Sequence, residues 1–120
     1  MSEFTRKILN SVNYETAKQK RLNNFAHLHK TIKDKNEIKS FDGKNTCPMI
    51  YPFLRKNDNL RAKLIENKVF VATYWTNVLD WASPEETEYY LTKYLLPLPI
   101  DQRYDVNDME KILEIICKYL

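Results

Sequence analysis

Two short segments concentrate the side chains that could do chemistry. Thr73-Tyr74-Trp75-Thr76-Asn77 places two large aromatics ahead of polar groups at the end of an apolar run, and Ile100-Asp101-Gln102-Arg103-Tyr104 follows a proline-bounded run in the same way. Chain leaving a rigid sheet commonly carries binding groups, because the sheet fixes their origin while the loop sets their direction. If the two runs are neighbouring strands, Tyr74, Trp75, Asn77, Asp101, Gln102, Arg103 and Tyr104 converge on one edge. They offer an apolar wall with a carboxylate, an amide and a guanidinium, which suits a pocket rim or a surface that closes on a partner. A filled core with an Asp101–Arg103 turn network is the alternative.

Other candidates reduce to structure. His27 and His29 are two apart on a helical stripe, about 200° around the axis, so they do not share a metal. Cys47 and Cys117 have no C-x-x-C spacing, which points to neither zinc nor a redox dithiol, and Cys117 is expected to be a small buried hydrophobe. Glu85 and Glu86 open a capped helix, where the helix dipole favours negative charge. Gly43 is the one glycine in 120 residues. That excludes a phosphate-cradling P-loop and a G-x-G-x-x-G dinucleotide turn.

Composition bounds the rest. With 43% hydrophobic and 29% charged residues the chain is expected to form a single α+β domain over residues 1–120, a helical lead-in over 1–35 and a small mixed unit over 36–120. Charge is uneven: residues 1–40 carry nine basic and four acidic side chains, residues 81–120 four and eight. A net +3 with an acidic C-terminal third and no recognised binding motif speaks against nucleic acid as a partner. No apolar run approaches the roughly 20 residues of a membrane span, and MSEFTRKILN lacks the apolar stretch of a signal peptide, so a cytoplasmic location is expected.

The positioning elements follow from periodicity. A short helix is expected over Glu3 to Val12, with Phe4, Ile8 and Val12 on one stripe, and a long amphipathic helix from the cap at Asn13 to about Ile32. Met49 to Leu54 is a strand candidate whose Pro52 favours an edge. A helix capped by Asn57 or Asp58 and a strand over Val69 to Trp75 then complete a strand-helix-strand unit. Its two strands would run parallel, with Pro97 to Ile100 as a third between them. Ser83-Pro84-Glu85-Glu86 reads as a helix start, and Asn107 to Glu110 starts a last helix buried through Met109, Ile112, Leu113, Ile116 and Leu120. The expectation is a small sheet of three or four strands, covered by helices.

These residues also carry a resemblance. CPMIYPFLRKNDNLRAKLIENKVFVATYW and LLPLPIDQRYDVNDMEKILEII resemble the C-terminal part of the DegT-type sugar aminotransferases, pyridoxal-phosphate enzymes of fold type I. The matching positions are Leu60-Arg61, Val69 to Tyr74, Leu96-Pro97-Leu98 and Asn107 to Ile116. NYETAKQKRLNNFAHLHKTI resembles the long interdomain helix that precedes them. The resemblance implies a small domain that walls the substrate side of an active site. Its partners would be a large pyridoxal-phosphate domain, which holds the cofactor's lysine and phosphate groups, and a second subunit. This chain would hold no cofactor and no catalytic residue. The implied substrate is a nucleotide-linked amino sugar. The family's usual histidine after Leu-Pro-Leu is replaced by Pro99, and its Tyr-Pro by Tyr74-Trp75, which leaves Asp101, Gln102 and Arg103 as polar substrate contacts and Trp75 as a wall. A stand-alone α+β interaction module is the other reading.

Overall fold

The computed structural model describes residues 1–41 and 43–120; Asp42, in the polar stretch KDKNEIKSFDGKNTCP whose composition predicts a loop, lies outside the described residues. The described chain forms α1 (Glu3–Asn10), α2 (Tyr14–Ile32), a 3-10 turn (Lys33–Lys35), β1 (Ile50–Leu54), α3 (Leu60–Glu66), α4 (Val78–Trp81), α5 (Thr87–Tyr94), β2 (Leu95–Pro99) and α6 (Val106–Tyr119). Mixed helix and strand are therefore present as expected. The caps explain the helix starts: Ser2 accepts from the Thr5 amide, Asn13 from the Thr16 amide, and Asp105 with Asp108 forms a reciprocal capping box at α6. The α6 cap thus sits two residues ahead of the expected Asn107.

β1 and β2 pair antiparallel, Ile50 opposite Pro99 and Leu54 opposite Leu95. Tyr51, Phe53, Leu96 and Leu98 share one face and join Phe25, Leu28 and Ile32 of α2, Leu60 and Leu64 of α3, and Met109, Ile112, Leu113 and Ile116 of α6 in the core. Ile50, Pro52, Leu95, Pro97 and Pro99 point to the opposite face.

The strand expected over Val69 to Trp75 is absent among the described residues, where the chain is irregular and ends in a turn; the strand expected at Pro97 to Ile100 is β2, and it pairs antiparallel with β1 in a sheet of two strands. The physical reason lies in the strand edges. The alternation of an antiparallel ladder turns both main-chain groups of Leu54 outward, where the amide donates to Asn36 Oδ1 at 3.0 Å and the carbonyl accepts from the Glu37 amide at 2.9 Å. By the same alternation Pro52, Pro97 and Pro99 sit where an N–H would face away from the partner strand. The prolines thus cost the β1–β2 ladder nothing, yet leave both outer edges short of donors for a third strand. Side chains fill the gap instead. Asn36 donates to Pro52 O at 2.8 Å, and Arg61 donates to Leu95 O at 2.7 Å, to Val71 O at 3.2 Å and to Ala72 O.

Three smaller expectations also change. The helix expected from Ser83 begins at Thr87, because Ser83 to Glu86 closes its own turn, the Glu86 amide donating to Ser83 O at 2.9 Å and the Ser83 amide to the Glu86 carboxylate at 3.0 Å. Cys117 is exposed, one residue and so about 100° beyond the buried Ile116 stripe. Leu120 is exposed past the end of α6. No described helix is long and apolar enough to cross a membrane.

Candidate functional site

Asp101, Gln102, Arg103 and Tyr104 form the turn between β2 and α6, and α2 holds this turn from below. Asn24, buried in α2, donates through Nδ2 to Ile100 O and to Tyr104 O, both at 3.0 Å. Arg21, one turn earlier, donates to Gln102 Oε1 at 3.0 Å and to Pro48 O at 3.3 Å. Within the turn, Asp101 accepts from the Arg103 amide at 3.0 Å and from its guanidinium Nε and Nη2 at 2.9 and 2.8 Å. The Arg103 guanidinium holds the Asp101 carboxyl below the usual carboxylate range, and Asp101 raises Arg103 in return. Arg103 also lies over the Tyr104 ring, 5.5 Å from its centroid.

Segment 69–77 runs beside the outer edge of β2, with Val71 in the core and Tyr74 near the outer face of the sheet. Arg61 fixes its start through Val71 O and Ala72 O, and burial lowers the pKa of this guanidinium. Its end is a tight turn in which Trp75 takes φ 51°, a left-handed conformation uncommon for a bulky side chain. That conformation brings Trp75 O to the Val78 amide at 2.9 Å and sets the Tyr74 and Trp75 rings edge to face, centroids 5.7 Å apart.

The result is a cavity of about 260 Å³ on the outer sheet face, with Ile50, Pro97 and Pro99 as an apolar floor and Arg21, Tyr74 and Asp101 around it. Of the expected site residues, Tyr74 and Asp101 are thus brought together. Gln102 stands beside them through Arg21. Trp75 faces a neighbouring cavity that shares Tyr74 as a wall, Asn77 precedes α4, and Tyr104 lines a third cavity with Ile112. Of the seven residues expected on one edge, Tyr74 and Asp101 line this cavity, Gln102 and Arg103 touch its lining through Arg21 and Asp101, and Trp75, Asn77 and Tyr104 lie elsewhere. Arg21 is not among the residues the sequence singles out, because its partner Gln102 lies 81 residues away.

The remaining candidates are structural. His27 pairs with Glu110 across α2 and α6, and His29, half-buried, meets the Tyr51 hydroxyl at 3.0 Å and stacks on Phe25. Among the described residues no cluster of three or more His, Cys, Asp or Glu side chains could hold a metal.

Pyridoxal phosphate, the cofactor the resemblance attaches to a complete enzyme, does not fit the residues of this chain. A Schiff-base lysine must be held with a depressed pKa. No described lysine is buried, and Lys63 and Lys93 are raised by the acidic or phenolic groups beside them. Gly43 does serve a close approach, but to a core ring: a Cβ there would stand 2.6 Å from the Phe25 ring.

No protein-family model, curated protein or solved structure matches the chain.

Proposed function

We propose that this chain is the small, substrate-side domain of a DegT-type sugar aminotransferase, a wall and packing unit that transaminates nothing by itself. The observation that carries this reading is the meeting of Tyr74 and Asp101 at one cavity, since the resemblance implies substrate-side residues at Tyr74 and just after Leu98. The chemistry is suitable. Proline and isoleucine side chains offer a flat apolar floor for the C–H face of a sugar ring, and a carboxylate, a phenol and a guanidinium at its rim can pair with ring hydroxyls or a phosphate. The cofactor and its lysine belong to a separate large domain, in keeping with the misfit described above.

The test is to read the genomic DNA immediately upstream of the Met1 codon and co-express any adjacent frame with this chain. A glycine-rich domain with a cofactor lysine that co-purifies with the chain supports the proposal. A frame of unrelated composition, or none, overturns it and leaves the second reading, a free-standing interaction module in the same location class. That reading is favoured by Phe70, Trp75 and Trp81, three large apolar side chains that are each largely exposed.

A further inference from the structure

We infer that the chain forms a reciprocal dimer in which α1 of each copy docks into the Trp75 cavity of the other. α1 is strongly amphipathic yet buries none of its residues. Phe4 and Ile8 lie one turn apart on one face and are 74% and 49% exposed, and Val12, in the bend just beyond the helix that was expected to include it, is 41% exposed. A helix of eight residues has little stability of its own in water and draws it from packing of an apolar face.

A complementary surface exists on the same chain. Pro52, Trp75, Val78, Leu91 and Leu95 line a cavity of about 290 Å³, with Glu88 at its wall. Trp75 is 72% exposed there, a large apolar side chain held outward by its left-handed backbone.

The helix cannot reach the cavity of its own chain. Asn24 is tied to Ile100 and Tyr104, so it marks the near end of the sheet. Eleven helical residues, ~16 Å, separate Asn24 from the bend at Asn13. The cavity opens further along the sheet, at Pro52 and Leu95, and on the face opposite α2. α1 is only ~12 Å long. Folding back would require unwinding the first turns of α2, whose Asn13 cap is intact. A second copy meets no such limit, and an exchange of identical elements about a two-fold axis closes without leaving a free site.

Charge favours the same occupant. α1 carries Arg6 and Lys7 against Glu3, which lies 3.4 Å from Lys7, while Glu88 lines the cavity and Glu85, Glu86 and Asp80 lie near it in the sequence. Residues 1–40 are basic in sum and residues 81–120 acidic, so copies placed head to flank attract.

The proposal is independent of the aminotransferase reading and is tested on the full chain by sedimentation velocity over a dilution series. Wild type is expected to be a dimer. Ile8→Asp on the helix and Leu91→Asp at the cavity, both at exposed positions, should each raise the dimer Kd at least about 10-fold. Glu88→Lys should weaken the dimer, and Arg6→Glu with Lys7→Glu should restore it. In a Trp81→Phe background, dilution should red-shift Trp75 emission as the ring returns to water. A wild-type monomer at every concentration, or a dimer untouched by Ile8→Asp or by Leu91→Asp, overturns the inference. Circular dichroism that matches wild type ensures that a lost dimer is not a lost fold.

Discussion

Arg61 Nη2 donates to Leu95 O at 2.7 Å, joining α3 to the first residue of β2. The same guanidinium reaches Val71 O at 3.2 Å and Lys93 O at 3.4 Å, so one side chain ties three segments together where a sheet would have used a third strand. Five rigidly arranged donors make arginine suited to this work; lysine, with a single ammonium, cannot span the carbonyls.

Arg61→Met is therefore expected to destabilise the chain by about 2 to 4 kcal/mol, since several carbonyls lose a charged donor at once. Arg61→Lys should recover less than half of that. Urea unfolding checks both, and limited proteolysis should show new cleavage between residues 69 and 77 in the methionine variant. Wild-type stability in Arg61→Met would contradict the role given to it.

Asn36 has the matching role on the other strand. It is buried, accepts from the Leu54 and Ile38 amides at 3.0 and 3.1 Å and donates to Pro52 O at 2.8 Å. Asn36→Ala leaves these groups unpaired and should cost about 1 to 3 kcal/mol. Hydrogen exchange should accelerate at the Leu54 amide ahead of the amides of α6. Equal acceleration everywhere would mean that the loss is global and not at the edge of β1.

Much of this fold is legible in the sequence, and the remainder is non-local. Asn13, the α6 stripe from Met109 to Ile116 and Pro52 at a strand edge each follow from spacing within a few residues. Val69 to Trp75 misleads because its β-branched and aromatic residues suit a strand, while the decision rests with Arg61 and with prolines at 52, 97 and 99 that deprive the edges of donors. The site divides in the same way. Tyr74 and Asp101 are visible as residues leaving apolar runs. Arg21 is invisible because its partner, Gln102, lies at the far end of the chain. Trp75 departs from the expected group because of its left-handed backbone, which nothing in its local spacing announces.

The Asp101 carboxyl titrates below its unfolded value because it is hydrogen-bonded to Arg103. A lowered folded pKa favours the folded state at pH values above the unfolded pKa, about 4, and that contribution disappears as the pH falls through the folded value. Asp101→Asn should consequently be less stable than wild type at neutral pH, with the gap closing as acid is added. Denaturant midpoints taken from pH 7 downward measure it. A gap that is constant with pH would assign the loss to packing and not to the charge.

Under the proposed function Tyr74 and Asp101 wall a sugar-binding cavity over Ile50, Pro97 and Pro99. The most direct test is a ¹⁵N–¹H correlation spectrum of the chain titrated with a nucleoside-diphosphate-linked hexose, with the free nucleoside diphosphate as a control. The expected result is saturable shifts at the amides of Ile50, Tyr74, Asp101 and Gln102, larger for the sugar conjugate and lost in Tyr74→Ala. No shift at these amides, or the same shifts with the nucleoside diphosphate alone, would contradict the claim.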